Sequence, residues 1–273
     1  MSAIHIYQIY YNEQTRAQLD PGFIPLDNTD NLRPEWYEFW VIKNFLEQND
    51  LADGAFYGFL SPKFGAKTGL TAEQLKALMV PHQADTDVFL VATAWSQVAY
   101  FQNPFEQGEF WHPGIFDLSQ QVTDALGLGI RLDDMVCCSH NFAFCNYIVA
   151  RKPYWQAWKK LADAFFELVE TRQDVLGEVL RGETSYVSRL APMRAFVQER
   201  LPAIVLQQQR YRTCAIEDAA HFVIARNVFQ PSGVYDRATL QMCNLLKYRY
   251  YLDDNSEHLR SYRHIRQNVS LIR

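Results

Sequence analysis

The glycine signatures of common nucleotide and hydrolase sites are missing from this chain. Its 12 glycines in 273 residues form no Gly-x-Gly-x-x-Gly fingerprint, which excludes a dinucleotide site of the usual Rossmann kind. Gly65-Ala66-Lys67-Thr68-Gly69 echoes a phosphate loop but lacks the glycine that opens one. No Gly-x-Ser-x-Gly elbow marks a serine hydrolase. Cysteine is scarce too: five residues, with Cys137-Cys138 adjacent and the others scattered, give neither a disulfide framework nor a zinc spacing. Their apolar neighbours read as the surroundings of small buried side chains in a reducing compartment. No apolar run approaches the ~20 residues that span a bilayer. The amino terminus has no basic region followed by an apolar core, so the expectation is a cytoplasmic protein. Basic charge is short as well. A formal net charge of −5 argues against a sequence-independent nucleic-acid binder, and no nucleic-acid partner is expected.

Aromatic residues are plentiful. Fifteen Tyr, 18 Phe and 6 Trp supply core area, and Tyr and Trp also offer a flat face and a polar edge to ligands such as sugars. Basic residues gather late, at Lys247, Arg249, Arg260, Arg263, His264, Arg266 and Arg273. They read first as a solvated helix face, and second as a surface for an anionic membrane or a donor's diphosphate.

Strand and helix patterns alternate early. Ile4 to Tyr10 is a β-type opening, followed by the polar stretch Asp27-Asn28-Thr29-Asp30-Asn31 and an aromatic helix from Arg33 to Asn44. Phe56 to Phe64 reads as a second strand-like run ending in polar groups, and Asp87 to Trp95 and Asn141 to Ala150 as further buried strands. Asn103 to Gly114 is rich in breakers and reads as an ordered loop, and Asp117 to Leu126 as a short amphipathic helix. From Lys152 onward helices dominate. Tyr154, Trp158, Leu161, Phe165 and Leu168 define a long amphipathic one, with Pro153 in its first turn. A helix from Pro192 to Arg200 is expected to stop at Pro202, with a short strand at Ile204 to Leu206 and a tail helix from Arg237 to Leu252. The pattern implies an α/β fold: a central, mostly parallel sheet flanked by helices, with a helix-rich C-terminal part. Residues 1–210 form the sheet-containing domain of this reading, and 211–273 a helical extension packed on it.

Four places carry acids or imidazoles in patterns that bear on chemistry. Asp85-Thr86-Asp87 is a carboxylate pair suited to a hard divalent cation, but it precedes a strand where a ligand pair belongs at a strand's carboxyl end. A solvated turn is the simpler reading. Asp133-Asp134 fits a strand end better, although Arg131 stands ready to neutralise it. Asp253-Asp254-Asn255 reads as a helix-terminating turn. None of the seven histidines has the i, i+4 spacing of a helical metal site, but His112 sits among Glu106, Glu109 and Trp111 in the breaker-rich stretch.

Four blocks, in order, resemble bacterial capsular and lipopolysaccharide glycosyltransferases of the glycosyltransferase A fold. The first is Asp27 to Asn31 with Tyr37-Glu38 and Trp40-Val41-Ile42-Lys43-Asn44. The second is Tyr57-Gly58-Phe59-Leu60-Ser61-Pro62-Lys63-Phe64, where Ser61-Pro62-Lys63 replaces the family's basic cluster. The third is Cys145-Asn146-Tyr147-Ile148-Val149-Ala150-Arg151-Lys152 with Tyr154-Trp155, and the fourth Phe196-Val197-Gln198-Glu199-Arg200-Leu201. The resemblance implies transfer of a sugar from a nucleotide-diphosphate donor to a glycan or lipid-linked glycan acceptor, at the inner face of the inner membrane if the protein associates with it peripherally. It implies base and ribose contacts from Tyr11, Asp27 and Asn31. Lys63, or a bound Mn2+ or Mg2+, would compensate the diphosphate. Glu38 and Glu199 would be the catalytic acids, and Asn146 a matched polar contact. Tyr57 and His112 complete the expected substrate-binding set. Asp85, Asp87, Asp133 and Asp134 are the metal-ligand candidates. The alternative is a carbohydrate- or partner-binding protein that keeps the fold without catalysis.

Overall fold

Ile4–Tyr10 forms β1, whose neighbours in space are the next two strands of the chain. The computed structural model describes residues 2–91, 93–186, 189–216, 228–229 and 236–271; Arg273, in the late basic group, lies outside them. After β1 come α1 (Glu13–Arg16), β2 (Ile24–Asp27), α2 (Tyr37–Gln48), β3 (Phe56–Leu60), α3 (Phe64–Thr68), α4 (Ala72–Met79) and β4 (Val88–Val91). Next are α5 (Trp95–Tyr100), α6 (Pro104–Trp111), α7 (Ile115–Ala125), β5 (Ile148–Arg151), α8 (Lys152–Thr171) and α9 (Val175–Arg181). The chain continues through β6 (Glu183–Tyr186), β7 (Arg189–Pro192), α10 (Met193–Gln198), α11 (Leu201–Gln208), β8 (Thr213–Ile216), α12 (Asp236–Asp253) and α13 (Ser256–Ile265).

Six strands make one mostly parallel sheet in the order β2-β1-β3-β5-β4-β8, while β6 and β7 form a separate hairpin. The β1–β2, β1–β3 and β4–β8 pairs are parallel, and β5 runs antiparallel to both of its neighbours. From β1 the chain goes out to β2 and then crosses back to β3 on the other side. Such a reversal opens a crevice at the carboxyl ends of the strands. Because β5 is antiparallel, its beginning lies at that same end, and Asn146-Tyr147 arrives beside Ser61.

Side chains alternate across the sheet into two cores. Ile9, Tyr57, Phe59, Val88, Leu90 and Ile148 join the larger one with α2, α8 and α11. Ile6, Phe56, Leu60, Phe89, Val91 and Val149 join the smaller one under α3 and α4. In α8, Tyr154, Trp155, Trp158, Leu161, Ala162, Phe165 and Val169 are buried, the stripe that the spacing predicted carried one residue past Leu168. The Trp155 indole also donates to the Tyr57 carbonyl at 2.9 Å.

The alternation of strands and helices and the helix-rich second half hold, but six local expectations fail; two strands are shorter than expected, because Phe64 opens α3 and Trp95 opens α5. Asn103 to Gly114 is mostly helix, not loop: Asn103 accepts from the Phe105 and Glu106 amides as N-cap, and Pro104 occupies the first turn. These breakers start a helix. Pro202 likewise opens α11 where it was expected to end a helix. Ile204-Val205-Leu206 is part of α11 and not a strand; the whole run Leu201–Leu206 is buried, and burial on all sides erases the helical period. Of Asn141 to Ala150 only Ile148–Ala150 is strand, since Asn141 is spent on a turn in which its side chain accepts from the Cys138 amide. The C-terminal part is indeed mainly helical, and it also supplies β8, an edge strand of the central sheet. No helix of the described residues is long and apolar enough to cross a membrane.

Candidate functional site

A cavity of about 550 Å³ opens at the carboxyl ends of β1 and β3. Tyr11 enters it from just past β1, and Ser61, Pro62 and Lys63 from just past β3. Asn146 comes from the start of β5, Glu38 from the first turn of α2, and Glu199 from the C-cap of α10. Six of the residues expected from sequence thus meet here: Tyr11, Asn31, Glu38, Lys63, Asn146 and Glu199.

The two acids are held in place by a specific contact. Gln198, buried beside Glu199, donates to the Trp36 carbonyl at 3.2 Å, two residues before Glu38. Trp36 is itself fully buried, and its indole donates to Glu170 at 3.1 Å. The start of α2 is therefore pinned to the end of α10. Tyr11 reaches across to Glu38 through a side-chain hydrogen bond, and burial together with the Glu38 charge pushes the Tyr11 phenol well above its ordinary range.

Glu199 is half-buried on the cavity wall. Burial raises its carboxyl to about 7, with Glu38 adding to the rise and Arg200 and Lys67 opposing it. Arg200 does not lie free beside it. Its guanidinium donates to the Pro104 carbonyl at 2.7 Å, the Phe196 carbonyl at 2.6 Å and Gln107 Oε1 at 2.8 Å. Lys43 of α2 pairs with Asp163 at 3.0 Å.

A smaller pocket of about 40 Å³ shares Glu38, Ser61, Lys67, Asn146 and Glu199 with the main cavity and adds Phe59, Cys145 and Tyr147. Ser61 Oγ and the Tyr147 hydroxyl are 2.7 Å apart, and the Lys67 ammonium stands 5.9 Å from the Tyr147 ring centroid. Burial pushes the Cys145 thiol up to about 11, so it is a weak nucleophile here.

Two cavity residues have unusual backbones. Asn31 has φ 38° and Tyr37 φ 48°, the left-handed side of the map. For a bulky residue such as Tyr37 this costs on the order of 1–3 kcal/mol, a strain that persists only where the surroundings over-determine it.

Other expected site residues lie elsewhere. Asp27 ends β2 and accepts from the Tyr10 hydroxyl at 2.6 Å and from the Thr29 amide at 2.8 Å, contacts that lower its pKa. Tyr57 is buried in β3, with its hydroxyl accepting from the Ala52 amide. His112 stacks on Phe196 with centroids 3.7 Å apart, one layer behind the cavity wall. Asp85 is exposed, and Asp87 is clamped by the Arg212 guanidinium at 2.7 and 3.0 Å. Asp133 faces Arg131 at 3.6 Å, and Asp134 is exposed. None of these seven lines the cavity. Among the described residues no group of three or more His, Cys, Asp or Glu gathers around a metal position. Within the cavity, Glu38, Glu199 and Asn146 carry oxygens of the kind that could hold a divalent ion.

Sequence reasoning passed over Lys67, Tyr37 and Gln198. Lys63 and Lys67 stand four residues apart just beyond a strand, a spacing that places two ammonium groups on one side of a short helix. That signal was present. Gln198 had none, since nothing in a lone glutamine announces a buried contact to a residue 162 positions away.

No family model, no curated protein and no solved structure matches this chain.

Proposed function

We propose that the protein is a glycosyltransferase of the glycosyltransferase A type. It takes a sugar from a nucleotide-diphosphate donor and places it on a bacterial surface-polysaccharide acceptor. One observation carries the reading: the cavity at the β1/β3 crevice draws residues from all four blocks of the resemblance, with Asn31 and Glu38, Lys63, Asn146 and Glu199 on its wall. Its volume falls within the usual range for small-molecule sites. Tyr11 and Asn31 suit base and ribose, and Lys63 with Lys67 suits the diphosphate. A divalent cation held by Glu38 and Asn146 would add to that charge compensation.

In the transfer, an acceptor hydroxyl oxygen bonds to the anomeric carbon. The bond from that carbon to the diphosphate oxygen breaks, and the diphosphate leaves with the electron pair. The hydroxyl proton must go to a base, and Glu199, poised near neutrality, suits that task.

The test is a thermal-shift panel of uridine, guanosine and cytidine diphosphates, each with and without manganese. One of them should raise the melting temperature, since ligand at 100 times its Kd stabilises by about 2.7 kcal/mol. A flat panel would overturn the reading. A nucleotide shift with no sugar transferred to any glycan acceptor would favour the non-catalytic alternative.

A further inference from the structure

Arg194, in the first turn of α10, is only 7% exposed, yet its guanidinium is short of the acceptors that a buried charge requires. Its Nε is sealed from solvent without a hydrogen-bond partner among the described residues. The two carboxylates that act on it most strongly, Glu35 and Glu170, are both held by Arg33 at 2.7 Å. Arg200, just past α10, is buried too, but it spends its donors on three acceptors. What Arg194 has is the face of Trp36, whose ring centroid lies 5.1 Å from Cζ. Such a contact is worth about 2 kcal/mol when desolvated, less than the several that taking an ion out of water costs. Burial accordingly pulls the Arg194 pKa below the usual arginine range.

The surroundings define what would complete the site. Arg33 and Arg181 add their charges to that of Arg194, and Glu35 and Glu170 oppose them. Three guanidinium groups against two carboxylates leave one positive charge over, which a monoanion neutralises. A phosphate monoester is largely a dianion at neutral pH and would be repelled by both glutamates. A carboxylate carries one charge, and its two oxygens match the parallel donors of a guanidinium. Arg33 and Glu35 are half-buried and Glu170 is exposed, so solvent reaches the cluster. Pro34 and Ala195, the chain neighbours of Arg33 and Arg194, line the main cavity, which places the cluster against its wall.

We propose that Arg194, backed by Trp36, binds the carboxylate of a ligand and forms a second anion site beside that of the diphosphate. In the glycosyltransferase reading that ligand is an acceptor carrying an acidic sugar, a step that rests on that reading.

Thermal shifts with sodium acetate, sodium glucuronate, sodium phosphate and glucose test it, with sodium chloride holding ionic strength equal. Excluded anions such as phosphate stabilise any protein, so the readout is the excess shift of wild type over Arg194→Met. Acetate and glucuronate should each give an excess of about 3 °C at ten times the Kd. Phosphate and glucose should give none. Without added anion, Arg194→Met should melt no lower than wild type, because it removes an uncompensated buried charge. Arg194→Lys keeps the charge without the two-pronged geometry and should lose most of the excess. A carboxylate shift equal in wild type and both variants overturns the inference, as does a phosphate excess as large as that of glucuronate. A large melting loss in unliganded Arg194→Met also overturns it, since Arg194 would then already have its partner. A flat carboxylate series overturns this inference and leaves the donor reading untouched, whereas a flat diphosphate panel does the reverse.

Discussion

Glu199 ties the site's chemistry to a measurable cost. Its folded carboxyl titrates at about 7 against an ordinary 4.5, raised chiefly by burial. Between those two values the folded chain binds more protons than the unfolded one, so this group's contribution is fully present below pH 4.5 and is lost as pH rises through 7. The loss by pH 8 amounts to at most about 3 kcal/mol. Glu199→Gln keeps the shape of the protonated acid and cannot ionise. The variant should therefore melt with the wild type at pH 5 and above it at pH 8. Melting curves at both pH values decide the matter, and a difference that does not change with pH would show that burial is not what raises this carboxyl. If the proposed sugar transfer is measurable, a tenfold or greater loss of it in the same variant, with the fold intact, would mark a group that works in the reaction.

Between elements, the anchoring of Arg200, the residue after Glu199, depends on a glycine. At Gly108 in α6 an added Cβ would lie 2.7 Å from Arg200 Nε, 2.8 Å from Cζ and 2.9 Å from Nη2. The guanidinium cannot swing aside without giving up three acceptors, two of them main-chain carbonyls. Gly108→Ala should consequently cost about 3–5 kcal/mol, the usual cost of leaving a buried charge unpaired. Combining it with Arg200→Met removes the clash, so the double variant should be more stable than the sum of the single losses. Strict additivity in urea denaturation would show that Arg200 is not what Gly108 accommodates. The same pair shows what local pattern conveys. Asn103-Pro104 and Gly108 look like loop in isolation because their breaker character is read without partners. In the fold, Asn103 caps, Pro104 begins a helix and Gly108 makes room for an arginine 92 positions further on. α8, whose periodicity is set by one buried face, and β1 and β3, short runs rich in aromatic and aliphatic residues, were legible in the sequence. Segments buried all round, such as Leu201–Leu206, were not. The site divides similarly: residues just past strand ends, Lys67 among them, could be anticipated, whereas Gln198 needed the third dimension.

For the whole molecule, the question is whether residues 211–273 are an appendage or part of the fold. β8 pairs in parallel with β4 from Val88 opposite Thr213 to Val91 opposite Ile216, closing that edge of the sheet. Lys247 of α12 is fully buried, and its ammonium donates at 2.5 Å to the carbonyls of Val98 and Phe101 at the end of α5. Cations favour that position, where the last carbonyls of a helix have no partner within it. The Tyr262 hydroxyl donates to the Tyr100 carbonyl at 2.6 Å, and Arg266 pairs with Glu106 at 3.0 Å. Removing everything after Arg210 would leave the Val98, Tyr100 and Phe101 carbonyls and the β4 edge without these partners. Each orphaned buried group costs about 1–3 kcal/mol, and their sum approaches the 5–15 kcal/mol that an ordinary domain has in reserve. The truncated chain 1–210 should therefore lack a cooperative thermal transition and bind a hydrophobic dye, while the full chain melts in one step. A sharp melt for the fragment, with nucleotide binding retained, would establish residues 211–273 as a separable extension.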